Sequence, residues 1–194
     1  IQERDLFVLK EVVKTRLNLE MALSDEIIEI ALKAKPHQVT FVPERREELT
    51  TEGGLDVKSN IKRVSEAVKL FKNHNITVSL FIDPDFEQIE ASKQVEADFI
   101  ELHTGRYADA KGEEEINEEL EKIIKATEYA ISTGLRVNAG HGLDYKNVIP
   151  ICKIKGIEEL NIGYSIIGRA IFVGIYQAVR EMIEVIRKNE KENH

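Results

Sequence analysis

The chain has 194 residues, 42% of them hydrophobic and 32% charged, with a formal net charge of −8. This is long enough for one domain with a sizeable core, and the negative balance speaks against broad binding of nucleic acid or of an anionic membrane. Cys152 is the one cysteine, which excludes an internal disulfide or a cysteine metal cluster and fits a reducing, cytoplasmic setting.

No apolar run approaches the ~20 residues that span a bilayer. The start, Ile1-Gln2-Glu3-Arg4-Asp5, has neither a basic region nor an apolar signal core. It also lacks an initiating methionine, as processing or an absent beginning would produce. Leu6 to Lys14 has apolar residues at helical spacing. Thr15 to Met21 alternates, so a strand is expected there. Ser24 caps a helix from Asp25 to Lys35, which Pro36 stops. Gln38 to Val42 reads as a strand. Arg45 to Val57 is a polar, glycine-bearing loop, long for a compact domain and so a candidate lid. Asn60 to Asn75 is an amphipathic helix, Thr77 to Ile82 a strand, Phe86 to Val95 a short helix and Phe99 to Leu102 a strand. A polar loop, Arg106 to Glu113, leads to an acidic helix from Glu114 to Ser132, closed by Gly134 as C-cap. A strand at Arg136, a helix near Tyr145 to Lys153, a strand around Leu160 and a last helix from Ser165 to Lys188 follow. The charged tail, Asn189 to His194, should fray.

Short apolar strands alternating with helices imply a parallel sheet with helices outside. No composition shift marks a domain boundary, so a single domain over residues 1–194 is expected. Six strand–helix units do not comfortably close a barrel, since eight need about 250 residues. The rival, an open doubly wound sheet, binds nucleotides through a glycine-rich first turn, and Glu20-Met21-Ala22-Leu23-Ser24 has no glycine. The expected architecture is therefore an α/β, (β/α)8 barrel showing strands 3–8, with its first two βα units missing from this sequence.

Ligands of parallel α/β proteins meet the carboxyl ends of the strands. Those ends carry Glu20, Glu44, Asp83, Glu101 with His103, His141, and Asn161 with Gly163. Arg136-Val137-Asn138-Ala139-Gly140-His141-Gly142 ends a strand in a histidine between two glycines. Some twenty residues on, Asn161-Ile162-Gly163-Tyr164 ends another strand and opens a helix. Tandem strand-to-glycine turns late in the chain suit a phosphate, because a helix N-terminus offers unpaired N–H groups and a positive dipole end. A histidine titrating near pH 6.5 with a carboxylate suits stepwise proton transfer. Glu20, between apolar stretches, should be partly desolvated, which favours its neutral form; it is the leading general-base candidate. Glu101 and His103 are additional candidates, with a buried polar pair as the plainer reading of Glu101. Loop capping is the plainer reading of Glu44, Asp83 and Asp85. His37 and His74 follow helices and read as structural. No HExxH or close His/Asp pairing supports a metal site, and no cofactor is implied.

The segments TRLNLEMA, KPHQVTFVPERREELTTEGGLDV, VSLFIDPD, FIELHTGRYADA, RVNAGHGLDYKNV and ELNIGYSIIGRAIFVG together resemble the pyridoxine 5′-phosphate synthase family, in order and along essentially the whole chain. The resemblance implies a (β/α)8 barrel that condenses 1-deoxy-D-xylulose 5-phosphate with 3-amino-2-oxopropyl phosphate. It implies a homo-oligomer, an octamer, whose partners are small phosphorylated substrates rather than nucleic acid or membrane. Carried over by motif, Glu20 corresponds to the family's proton acceptor and His141 to its proton donor. Thr50 corresponds to a contact for the deoxyxylulose phosphate. Gly142, Gly163 and Tyr164 correspond to the binding positions for the amino-ketone phosphate. Many members have histidine where this chain has Tyr164, so there only the backbone contact carries over. The family's Asn-x-Asp-His motif and a second catalytic histidine belong to the first two strands, which this sequence does not show. The alternatives are another phosphosugar barrel enzyme, an aldolase or isomerase, or a non-catalytic phosphate-binding fragment.

Overall fold

A computed structural model of the chain describes residues 1–43 and 53–190. The fold is α/β. Among the described residues six strands run parallel, and their order in the sheet is their order in the chain. The chain divides into two compact units, Ile1–Glu101 and Leu102–His194.

The first unit opens with α1 (Glu3–Val12), β1 (Asn18–Met21) and α2 (Asp25–Ala34). β1 is shorter than the alternation from Thr15 predicts. The chain reaches it through Leu17, whose carbonyl accepts from His37 N and Gln38 N and whose N–H donates to His37 Nδ1 at 2.9 Å. His37 is thereby a structural residue, as expected. Ser24 caps α2, its hydroxyl accepting from Ile27 N, and Lys35 ends it in the left-handed region at φ 50°. Then come β2 (Gln38–Phe41), a 3₁₀ turn at Lys58–Asn60, α3 (Ile61–Asn73), β3 (Thr77–Ile82) and α4 (Phe86–Gln94). β2 pairs in register with β1 and with β3, Thr40 lying opposite both Glu20 and Ser79.

Alternation sorts β2 and β3 into two faces. Val39, Phe41, Val78 and Leu80 are buried apolar residues, as are Val64, Val68 and Phe71 of α3; the Phe41 and Phe71 rings lie 5.7 Å apart. The other face carries Gln38, Thr40 and Ser79, all buried, and Thr40 Oγ1 donates to Asn18 Oδ1 at 3.0 Å. Gly54 lies flat on the end of β3. Its N–H donates to Asp83 Oδ1 at 3.2 Å, and a Cβ there would sit 2.3 Å from Asp83 N. Thr50, Glu44 and most of the candidate lid lie outside the described residues.

β4 (Phe99–His103) leads from the first unit into the second. The second unit continues with α5 (Gly105–Asp109), α6 (Glu113–Thr133), β5 (Arg136–Gly140), α7 (Val148–Cys152) and β6 (Ile157–Asn161). It ends with α8 (Tyr164–Val173) and α9 (Ile175–Glu190). Two of these differ from the sequence reading. The stretch after Thr104 forms a short helix rather than a loop, anchored by buried Tyr107, whose hydroxyl donates to Asn147 O at 2.7 Å. The last helix is two helices, because Gly174 adopts φ +80° and breaks the backbone ladder after Val173. Gly134 ends α6 at φ +92°, the left-handed C-cap expected of it. α8 is strongly apolar yet buries none of its residues; Tyr164, Ile171 and Phe172 are 96%, 80% and 83% exposed. Among the described residues no helix is long and apolar enough to cross a membrane.

Candidate active site

The site is built where β4 and β5 end. His103 is the last residue of β4 and only 3% exposed. His141 follows the last residue of β5 and is half-buried. Their rings meet edge to face with centroids 5.0 Å apart. The two imidazoles, 38 positions apart in the chain, thus form one group.

The backbone between the glycines is unusual. His141 has φ +83° and Gly142 φ +75°. For a residue with a β-carbon this conformation costs about 1–3 kcal/mol and persists only where the surroundings impose it. Here they do. Thr104 N donates to Gly140 O at 2.9 Å. The Thr104 hydroxyl lies 2.8 Å from Gly140 O and 2.5 Å from His141 O and donates to this pair of carbonyls. Asn147 Nδ2 donates to Gly142 O at 3.1 Å, and Asn147 Oδ1 accepts from Asp144 N at 2.6 Å. Asp144 Oδ1 in turn accepts from Lys146 N and Asn147 N, an Asx turn that folds Asp144-Tyr145-Lys146-Asn147 under the loop. Ser165, in the first turn of α8, donates to Leu143 O at 2.8 Å. That bond ties the Gly163 loop to the His141 loop, so the N-terminus of α8 and the Gly142 amide belong to one corner of the second unit.

Two glycines are required by close approach. A Cβ on Gly105 would sit 2.5 Å from His103 Nε2 and 3.2 Å from His141 Cδ2, so the bare α-carbon lies against both rings. A Cβ on Gly142 would fall 2.6 Å from Ala108 Cβ. Gly163 differs: a Cβ there would meet nothing within 4 Å, and its φ of −119° suits any residue. Burial raises the Tyr107 phenol above its usual range, and Asp144 adds to this.

Of the residues singled out from the sequence, His103, His141 and Gly142 stand together, with Gly163 and Tyr164 joined to them through Ser165. Glu101 is buried within β4, 3% exposed. Glu20 corrects an expectation. It is exposed, not desolvated, because strand alternation puts it on the face opposite buried Met21. Sequence reasoning missed Thr104, Gly105, Asn147 and Ser165, which hold the corner in shape. The Asp144–Asn147 spacing was the one local signal for any of them.

The chain shares its α/β fold with solved sugar-phosphate enzymes. It superimposes on the 3-keto-L-gulonate-6-phosphate decarboxylase of Vibrio cholerae with a TM-score of 0.66 at 13% identity, covering 96% of this chain and 79% of that one. On a 3-hexulose-6-phosphate synthase the TM-score is 0.65 at 19% identity, covering 94% and 79%. Sequence relatives are far nearer. The pyridoxine 5′-phosphate synthase of Pelobacter propionicus is 54% identical over 187 residues, 96% of this chain and 78% of the relative. That of Trichormus variabilis is 57% identical over 187 residues, again 96% and 78%. Residues 1–188 match the family described as pyridoxal phosphate biosynthesis protein PdxJ, and the chain belongs to that family.

Proposed function

We propose that the protein is a pyridoxine 5′-phosphate synthase, condensing 1-deoxy-D-xylulose 5-phosphate with 3-amino-2-oxopropyl phosphate to pyridoxine 5′-phosphate, phosphate and water. The observation that carries this reading is the corner at the end of β5, where two touching imidazoles adjoin a braced glycine turn and a helix N-terminus. Ring-closing condensation of two phosphorylated substrates needs proton transfers and anion binding, and this corner offers groups for both.

In this reading His141 is the proton donor. The edge of the His103 ring against it limits its rotation. The Gly142 and Gly163 amides and the backbone of Tyr164 hold the amino-ketone phosphate, and Thr50 contacts the deoxyxylulose phosphate. Glu20 is the proton acceptor. Glu101 and His103 are the additional residues of the site. The complete architecture proposed is a single eight-unit (β/α) barrel domain, of which the six units here are the third to the eighth, assembled as a cytoplasmic homo-octamer. Relatives longer than the matched chain support this reading.

The test supplies both phosphorylated substrates to the natural protein and follows pyridoxine 5′-phosphate by mass spectrometry. Product is expected from the unaltered protein. His141→Ala should abolish turnover and Glu20→Gln should lower kcat by about 10²–10⁴-fold. No product from the unaltered protein would refute the reading, and full activity in either variant would remove that residue from the chemistry.

A further inference from the structure

Asn138 lies in the middle of β5, 1% exposed. Among the described residues, neither its Nδ2 nor its Oδ1 has a hydrogen-bond partner. Buried polar groups are almost always paired, and one left unpaired carries its full desolvation cost. A carboxamide with donor and acceptor both unpaired in the protein either holds a buried water or serves as a socket for a ligand group.

Two further observations favour the socket. First, the β5–β6 register slips at this residue: Val137 lies opposite Ile157, whereas Asn138 lies opposite Glu159. Glu158 is the extra residue, exposed and ion-paired to Arg136. Bulges re-aim the side chains beside them and recur next to active sites. Second, Asn138 shares a strand face with Gly140 by the two-residue period, and the proposed proton donor His141 follows directly. Val137 and Ala139 point to the other, apolar face and are fully buried.

We propose that Asn138 is a substrate-binding residue, its carboxamide taking an alcohol hydroxyl of the sugar-phosphate substrate. The chemistry selects that group. A phosphate or carboxylate uses only donors and would leave Oδ1 unpaired, whereas an ammonium would leave Nδ2 unpaired. A hydroxyl accepts from Nδ2 and donates to Oδ1, matching both. This proposal rests on the synthase reading above.

The experiment compares the natural protein with Asn138→Leu and Asn138→Asp. Leucine has the same branched heavy-atom skeleton as asparagine and carries no polar atom, so the exchange removes the desolvation cost of a merely unpaired amide and sets it against two bulkier methyl groups. The expected result is a melting temperature for Asn138→Leu equal to or above that of the unaltered protein. Its kcat/KM for the sugar phosphate should fall on the order of 10²-fold, as befits two lost hydrogen bonds and an unpaired substrate hydroxyl. The KM for the amino-ketone phosphate should hold. Asn138→Asp replaces the amide donor by a carboxyl that is acceptor-only when ionised, so its kcat/KM should fall by about 10-fold at pH values where that carboxyl is ionised. It also reads the proposal should the leucine variant not fold. Unchanged kcat/KM for the sugar phosphate in either variant overturns the proposal. So does a leucine variant whose melting temperature drops while both KM values move together, the mark of a scaffold residue. Failure of the synthase reading shows separately, as absence of product from the unaltered protein.

Discussion

Gly142→Ala isolates the geometry of the corner in one methyl group. Two costs can be worked from the structure. Alanine at φ +75° enters the left-handed region, worth about 1–2 kcal/mol for a residue with a β-carbon. The new methyl also arrives 2.6 Å from Ala108 Cβ, the next nearest atom being Gly105 Cα at 3.7 Å. Carbon atoms prefer a separation of about 3.5–4.0 Å, so the loop or α5 must give way by roughly 1 Å, and overpacking of this kind costs about 1–3 kcal/mol. The sum is about 2–5 kcal/mol. A second substitution separates the parts. Ala108→Gly removes the opposing methyl at a helical cost of about 0.5–1 kcal/mol, and in the double variant the steric share should return while the backbone share stays. The assay is urea unfolding of the four proteins at one concentration, read as a double-mutant cycle. A coupling of about 1–3 kcal/mol is expected. Coupling below about 0.5 kcal/mol, the range of independent sites, would refute the claim that these two methyl positions share one space.

Two more outcomes follow from single residues. His141→Gly should be more stable than His141→Ala by about 1 kcal/mol in the same assay, a reversal of the usual order, because both lose the imidazole and only glycine is at ease at φ +83°. The Cys152 thiol is pushed up from 9.0 to about 11, by burial first and by Glu190 second. The folded state therefore holds this proton more tightly than the unfolded state does. Its stabilising share is complete below pH 9 and lost as pH rises from 9 to 11. Over that window urea midpoints should fall less steeply for Cys152→Ala than for the unaltered protein; equal slopes would refute the assignment.

Much of the fold was legible because its signals are local. Ser24 caps α2 through its own hydroxyl, Gly134 closes α6 in the left-handed region, and alternating strands and helices require parallel pairing. α5 escaped because five residues carry too little periodicity to separate a helix from the polar loop around them. The break between α8 and α9 escaped because Gly174 sits inside a continuous apolar run, where a glycine is easily absorbed into a longer helix. The site divides in the same way. His141 and Gly142 stood out through their flanking glycines. That His103 touches His141, that Gly105 must be bare and that Asn138 finds no partner among the described residues depend on how the strands lie side by side, and no local pattern encodes that. Glu20 misled because its apolar neighbours in sequence are not its cover in space.

The exposed side of α8 bears on how the protein behaves as a colloid. A particle with a net charge of −8 is kept dispersed by long-range repulsion, while Ile167, Ile171 and Phe172 supply a short-range adhesive spot. The two forces respond differently to salt. Repulsion reaches about 30 Å at 0.01 M and about 10 Å at 0.1 M ionic strength, whereas apolar contact is insensitive to screening and is strengthened by sulfate. Dispersal of the chain is therefore set by the ionic medium as much as by its charge, and added salt brings adhesion at α8 to the fore.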